Sequence, residues 1–452
     1  MVKASYFSAR RMGTAALIGA CISIGPVAWA DDQADRIKSL EERLERSLSL
    51  IEKLSARLSE LERSGKAPPP KTEASSAERQ GAEADIARLQ ESVNQMSTSL
   101  GKRSSDTGLP VHGFADVGGA WSAGADPDKL RGFSVGTLDL YLTPQVSDRV
   151  KALAEIAFEF EEDSHGSVDM ERLQLGYTAS DELTLWAGRF HTPFGLWNTS
   201  FHHGANLQTS IFRPRFVEFE DKGGIIPAHS VGVWASGKAR LGTGRMTYDL
   251  YLSNGPSIRN RELDPNTFTD DTPNKLVGFN LGYLPRGTSG GLVIGVHGFG
   301  STVDAFAPSG SQLSGTRLRA GGAYFGYDAD DWEAIGEYYA FRNADVASGI
   351  GHSSHAGFLH VGRVIGSWTP YVRYELTSLA PEDNYFRSLE IGRSYRRGVL
   401  GARYALDPKS SFKFELSGTR ESSLTQIDET GAPVPFAGSS YRRAAFQYSL
   451  AF

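Results

Sequence analysis

The chain has 452 residues, of which 40% are apolar and 22% charged, with 50 Gly, 24 Phe, 17 Tyr and a single Cys. That profile excludes a disordered chain, which lacks aromatics, and a disulfide scaffold, which needs many cysteines. A formal charge of −6, from 47 basic and 53 acidic residues, excludes the concentrated basic field of a nucleic-acid binder.

Residues 1–30 read as an export signal. Lys3, Arg10 and Arg11 form a positive start, Ala15 to Ile24 an apolar run, and Ala28-Trp29-Ala30 a small-residue cleavage site. The run is shorter than the roughly 20 residues of a spanning helix. A lipoprotein signal ending at Cys21 is the alternative, with an awkward Gly19 ahead of it. Cleavage after Ala30 removes the only cysteine, which suits a chain crossing an oxidising compartment unfolded. No other segment approaches 18 consecutive apolar residues, so any membrane embedding is by strands.

Residues 31–64 carry a heptad pattern, with Ile37, Leu44, Ile51 and Leu58 at a and Leu40, Leu54 and Leu61 at d, Ser47 taking the remaining d place. A stripe this narrow on a charged helix needs a partner helix, which predicts a coiled coil and makes these seven residues the oligomerisation seam. A lone helix folded back on the body is the alternative. Residues 65–108 read as a linker: the Gly65 to Pro70 stretch stops the helix, and a shorter apolar repeat resumes at Ile86.

From residue 109 to 452 the periodicity changes to two. In Val150 to Phe160, Val150, Ala152, Ala154, Ile156, Phe158 and Phe160 share one face, and Lys151, Glu155 and Glu159 share the other. Such a strand fits a soluble sandwich or a membrane barrel, in which the apolar face meets lipid. Segments of about ten residues recur with alternating short and long connections, as expected of tilted transmembrane strands. Strands are expected to start near Val111, Phe133, Val150, Met170, Leu183, Ser230, Arg245, Lys275, Gly291, Thr316, Trp332, Ser353, Trp368, Gly398, Phe412 and Tyr441. The expected fold is therefore all-β, a 16-stranded antiparallel transmembrane β-barrel preceded by an α-helical coiled-coil arm.

The last segment, Phe446 to Phe452, alternates outward aromatics and ends in Phe. It resembles the assembly signal of bacterial outer-membrane proteins, which implies recognition of Phe452 by the barrel-assembly machinery and residence in outer-membrane lipid. An ordinary edge strand would leave that apolar row open to aggregation. The longest connection, His191 to His229, is long enough to be functional, and a sixteen-stranded lumen needs a constriction to select solutes. His191, His202, His203, Arg213, Arg215, Glu218, Glu220, Asp221 and Lys222 are the candidate constriction residues. A solvated surface loop carrying both charge signs is the alternative.

Gly188-Arg189-Phe190-His191-Thr192-Pro193-Phe194-Gly195 resembles the G-x-F-x-x-P-F-G stretch of the phosphate-selective porin family, and Gly401 to Pro408 is similar to that family's late hairpin. The arm ahead of the barrel looks more like the related DcaP-type trimeric porins of small dicarboxylates. The resemblance implies a homotrimer of sixteen-stranded barrels in the outer membrane, with the arm in the periplasm and no cofactor. Residues from Leu109 onward include 31 basic and 38 acidic, which departs from a basic-lined phosphate channel. Parity places Lys151, Arg172, Arg317, Arg319, Arg373, Arg403 and Arg443 towards the lumen, with Glu155, Glu159, Glu333, Glu337, Glu375 and Glu415. An arginine column would guide carboxylate or phosphate groups. Pairing of these Arg and Glu residues across strands, stiffening the wall, is the alternative.

The expected function is passive diffusion of small hydrophilic, anionic solutes of the phosphate or dicarboxylate class. A closed structural or adhesive barrel and a barrel hydrolase are the alternatives. Gly132-Phe133-Ser134-Val135-Gly136 matches a nucleophile elbow, but alternation continues through it where a turn into a helix is needed. His352, His355 and His360 lack the ligand spacing of a metal site, so neither catalysis nor a metal is expected.

Overall fold

In a computed structural model of the protein, the described residues are 111–144, 146–160, 166–201, 205–266, 270, 272–285, 291–329 and 331–452. The signal segment, the coiled-coil seam and the linker lie outside them, as do His202 and His203.

Sixteen strands form the wall: β1 (Val111–Gly124), β2 (Arg131–Leu142), β3 (Val150–Phe160), β4 (Gly166–Ser180), β5 (Leu183–His191), β6 (His229–Leu241), β7 (Gly244–Asn254), β8 (Lys275–Leu284), β9 (Leu292–Phe306), β10 (Gln312–Ala329), β11 (Trp332–Asp345), β12 (Gly351–Arg363), β13 (Trp368–Ser378), β14 (Tyr395–Asp407), β15 (Ser410–Glu421) and β16 (Ser440–Ala451). Each pairs antiparallel with its neighbours in sequence, and β16 pairs antiparallel with β1 from Ala451↔Phe114 to Tyr441↔Gly124. The sheet is thus a closed barrel with no free edge, the solution that satisfies every strand's backbone without water. Phe452 completes the seam. Its N–H donates to the Gly113 carbonyl at 3.0 Å, its own carbonyl accepts from Gly113 at 3.1 Å, and its ring lies where a Cβ on residue 113 would stand. Only glycine fits there.

The wall is inside-out relative to a soluble protein. Along β15, Ser411, Lys413, Glu415, Ser417, Thr419 and Glu421 are buried in the lumen, whereas Phe412, Phe414 and Leu416 are exposed on the outer face. An apolar outer face and a polar inner one are what lipid outside and water inside select. At the rim of short turns the register places Trp368 beside Tyr404, Tyr404 beside Phe412, and Phe412 beside Tyr448, a row of outward aromatics. Trp121 and Phe133, with ring centroids 5.7 Å apart, stand towards the opposite ends of β1 and β2. Two such girdles mark the interfaces of a membrane-spanning band.

Connections at the rim of short turns are tight throughout, as expected. At the other rim only residues 192–228, 255–274, 379–394 and 422–439 are long; 125–130, 307–311 and 346–350 are short. The last two are short because β9, β10 and β11 extend as paired strands beyond the length a bilayer requires, β10 reaching 18 residues.

Parity fails in one arc. Arg317 and Arg319 point outward, and their neighbours Thr316, Leu318 and Ala320 are buried. The cause is the inward folding of the long loops: Ile258 and Leu263 from residues 255–274, and Tyr385, Phe386 and Leu389 from 379–394, share one core with Leu276, Phe299, Val303, Leu318 and Phe341. Where the loops pack on the wall through apolar side chains, the inner face is apolar, and charge no longer marks it.

Candidate functional site

The described residues of the 192–228 connection lie inside the barrel. His191 ends β5 and His229 begins β6, directly opposite each other in register, so the loop leaves and re-enters the wall at a single point. Pro193 cannot continue the ladder, and Gly195, at φ +59°, turns the chain inward against Glu337 and Tyr339, where a Cβ would collide with their side chains. Phe194 then packs on Phe299 and Tyr339 at centroid distances of 5.9 and 6.0 Å. Trp197 opens a helical turn, α1 (Trp197–Ser200), and meets Phe358 edge-on at 5.5 Å.

Wall carboxylates on three alternate strands accept the loop's backbone N–H groups. Glu337 on β11 takes those of Leu196 and Trp197 at 2.9 and 2.5 Å. Glu415 on β15 takes Ile211 at 3.0 Å, and Glu375 on β13 takes Arg215 at 2.9 Å. Wall cations do the converse. Arg373 donates to Ser210 Oγ at 2.9 Å and to the carbonyls of Phe212 and Arg213 at 3.0 and 3.3 Å, while bonding Glu375 at 2.9 Å. Lys413 donates to the carbonyls of Ala205 and, at 3.2 Å, Ser210. Charge-assisted bonds of this kind are the strong ones, and buried charges tolerate removal from water only when so satisfied.

The candidate constriction residues therefore divide. His191 belongs to the wall and faces Glu155. Arg213 is buried within the loop, donating to the Phe201 carbonyl at 2.7 Å and to Asn198 Oδ1 at 2.9 Å; burial lowers its pKa, against the pull of Glu218 and Glu220. Arg215 pairs with Glu421, and burial is outweighed by Tyr441, Glu421 and Tyr395 around it, which hold its pKa up. Glu220 accepts from the backbone N–H of His229 at 2.7 Å and pairs with its Nδ1 at 2.8 Å. Burial alone would raise that carboxyl, but the His229 contacts keep it below the ordinary range. Lys222 bonds Glu159 at 2.9 Å; burial opposes its charge, and Glu159 with Asp221 raises it above the usual lysine value. Asp221 is open to lumen water, yet the enclosing protein pushes it up to about 6, against Lys222 and with the help of Glu159.

Most of the proposed arginine column is occupied. Arg172 pairs with Glu155, Arg443 forks onto Asp126 at 2.6 and 2.7 Å, and Arg403 reaches Asn206 at 3.4 Å. Arg373 lies under the loop, and Arg317 and Arg319 are outside the barrel. Lys151 remains an exposed, inward residue near the rim of short turns.

Between the loop and the wall of β1, β2 and β16 a cavity of about 300 Å³ stays open. Asp116, Ser134, Thr137 and Gln447 line it from the wall, and Gln208, Phe212, Glu218 and Lys222 from the loop. Asp116 accepts from Gln447 Nε2 at 2.9 Å. Sequence parity found the carboxylates Glu337, Glu375 and Glu415 but not their task, and it missed Asp116, Gln208 and Gln447, because nothing local distinguishes a polar residue that faces a gap from one that faces the loop. Among the described residues, no group of three His, Cys, Asp or Glu converges as a metal site. His355 stacks outward on Tyr338, whereas His352 and His360 reach different carboxylates, Asp345 and Glu333.

No protein-family model matches the chain, and no curated protein sequence matches it. Solved structures do. An anion-selective porin from Comamonas acidovorans is similar at a TM-score of 0.50 and 14% identity, over 76% of this chain and 99% of that one. The outer-membrane channel DcaP of Acinetobacter baumannii gives 0.45 and 12%, over 76% and 97%. OmpT of Vibrio cholerae in its trimer form gives 0.46 and 12%, over 75% and 99%. The chain has the fold of an outer-membrane porin, a closed barrel of sixteen antiparallel strands.

Proposed function

We propose that the protein is an outer-membrane porin through which small hydrophilic solutes diffuse passively, narrowed by residues 192–228. The observation that carries this is the loop held across the lumen by Glu337, Glu375, Glu415, Arg373 and Lys413, with a polar gap left open against β1, β2 and β16. A closed or adhesive barrel has no use for a constriction fixed on one side only. Solutes of the phosphate or dicarboxylate class are the narrower reading. It rests on Lys222, Arg172, Arg403 and Lys151, inward cations that stay exposed or half-buried, and on the planar guanidinium's match to oxyanions. Neither catalysis nor a cofactor has a place in it.

The same reading makes residues 1–30 the export signal, 31–64 a periplasmic coiled coil, 65–108 a linker and 109–452 the barrel, in a homotrimer assembled through recognition of Phe452. Planar-bilayer recording of the purified protein tests the central claim. Stepwise conductance, reduced by added phosphate or succinate competing with chloride, is expected; the absence of any conductance would identify a closed barrel.

A further inference from the structure

The gap between the 192–228 loop and the wall of β1, β2 and β16 carries a surplus of hydrogen-bond acceptors. Gln208 of the loop donates from Nε2 to the Ile211 carbonyl, and Gln447 of β16 donates from Nε2 to Asp116, both at 2.9 Å. A carbonyl and an ionised carboxylate can only accept, so each amide is fixed with its nitrogen there and its oxygen elsewhere. Neither Oε1 has a partner among the described residues, although both glutamines border the gap and are only 6% and 8% exposed. A buried amide oxygen is costly without a donor, and two around one gap call for N–H groups on whatever occupies it.

Carboxylates add to the surplus. Asp116 on β1 accepts from the Thr137 N–H at 3.2 Å and from Gln447, but among the described residues no cation forms an ion pair with it. The cations that act on it do so from a distance: Lys413 is held on the carbonyls of Ala205 and Ser210, and Lys222 stands on the loop. Glu218 has Arg213 Nε at 3.8 Å, yet that guanidinium is committed to Asn198 and to the carbonyls of Phe201 and Val217. Lys222 is the counterweight. It is exposed and bonds Glu159 at 2.9 Å, and an ammonium has three donors, so two remain for a solute oxygen.

We propose that the gap selects solutes carrying an ammonium beside a carboxylate, the amino-acid class, and among dicarboxylates the aminated ones. The ammonium sits against Asp116, with N–H groups for the two glutamine oxygens, and a carboxylate sits on Lys222. The volume of about 300 Å³, roughly ten waters at ~30 Å³ each, has room for a four-carbon solute. A dicarboxylate without nitrogen satisfies Lys222 alone: it leaves both amide oxygens without a donor and meets Asp116 as a like charge, and a site built for N–H donors rejects analogues that lack them. A bare amine satisfies the acceptors and leaves Lys222 unused. Conduction needs sites weak enough to leave, so the effect is selection among passing solutes and not tight capture. The inference rests on the porin reading and narrows its dicarboxylate class.

The test records chloride current through the full-length protein in a planar bilayer while one of three solutes is titrated. L-Aspartate carries the ammonium, L-malate has a hydroxyl in its place, and succinamate has the net charge of aspartate without an ammonium. Aspartate is expected to halve the current at a concentration at least tenfold below either of the others. Asp116→Asn should erase that advantage, and Gln208→Leu with Gln447→Leu should cut it at least threefold. Lys222→Gln should weaken aspartate and malate alike, and Arg317→Ala with Arg319→Ala, outside the lumen, should change nothing. Equal block by the three solutes in the parent overturns the proposal whether or not a variant folds, and leaves the porin reading standing; no conductance at all overturns both. Ethylammonium blocking as well as aspartate would mean a plain cation site, and an equal loss for all three solutes in Asp116→Asn would mean that Asp116 only shapes the gap. Either result overturns the two-ended fit.

Discussion

The wall of β14, β15, β16 and β1 and the wall of β8 to β12 are built from strands of the same kind, yet only the first keeps its apolar residues on one face. In β15 the outward residues are Phe412, Phe414 and Leu416 and the inward ones Lys413, Glu415 and Glu421. In the second wall the inward residues include Leu276, Phe299, Val303, Leu318, Phe341 and Phe358, and they pack on Phe194, Trp197, Phe216 and Phe386 from the loops. The difference is how the in-folded loops meet each wall. Charged side chains that bond the loop's backbone line the first, and apolar side chains that pack on the loops' aromatics line the second, so one barrel contains a polar half and a half with a protein-like core.

The largest effect that follows is Trp197→Ala. Trp197 is fully buried between Phe358 and Phe201, and removing a core aromatic costs about 3–5 kcal/mol. Leu416→Ala, an outward change, should cost under about 1 kcal/mol, because lipid tails are as apolar as the side chain they touch. The two are compared by the temperature at which the purified barrel unfolds on gels, and in bilayers Trp197→Ala should also raise or destabilise the open-channel current. Equal effects would erase the distinction between the two walls.

A smaller effect tests the straps. Glu415 accepts from Ile211 N–H and, at 2.9 Å, from the hydroxyl of Tyr371. Glu415→Gln should remove about 1.5–3 kcal/mol of charge-assisted bonding, leaving the barrel closed but the loop looser, read as excess current noise and faster proteolysis within residues 205–222. A quiet channel with parental protease resistance would show that the loop is held by its aromatic contacts alone.

How much of this was legible in the sequence differs between the two walls for the same reason. Alternation located all sixteen strands, with starts within a few residues of those observed, since period two needs only a face that differs from its opposite. In β15 and β16 it placed Glu415 and Arg443 on the inward face, where the structure has them, and left out Gln447. It misplaced Arg317 and Arg319 because it assumed a wet lumen beside β10, and the loops that dry that region are remote in sequence. The length of the connection from His191 to His229 marked it as functional and left an in-folded constriction and a solvated surface loop both open. Nothing in it separated Arg213, buried at the edge of the gap with its guanidinium on the loop's own carbonyls, from Lys222, which borders the same gap and is exposed.

That separation can be tested by charge selectivity. Lys222→Gln removes a fixed positive charge beside the passage. At about 4 Å in water this amounts to roughly 1 kcal/mol on a passing monovalent ion, or about a fivefold fall in the anion-to-cation permeability ratio. Arg317→Ala with Arg319→Ala should leave the reversal potential unchanged, since both side chains lie outside the lumen. A shift from the second pair would return them to the pore.

The smallest expected effect is a pH step. Asp221 adjoins Lys222, and its carboxyl is pushed up to about 6 by the surrounding protein and by Glu159 and Glu220. It is mostly neutral at pH 5 and mostly charged at pH 7.5, while Lys222 keeps its charge throughout. Acidification therefore removes a negative charge from the constriction, and the preference for anions should rise as pH falls through about 6. Because Asp221 is open to water, where screening acts within about 8 Å at physiological salt, the change should be roughly twofold, less than that of Lys222→Gln. Asp221→Asn should flatten the step at the acid-limit selectivity. If the step persists in that variant, it belongs to another carboxyl, of which Glu262 is the first candidate: burial raises it too, and so do Asp221 and Glu390 beside it. Glu262→Gln in the Asp221→Asn background would then decide between the gap and the in-folded loop of residues 255–274 as the seat of the titration.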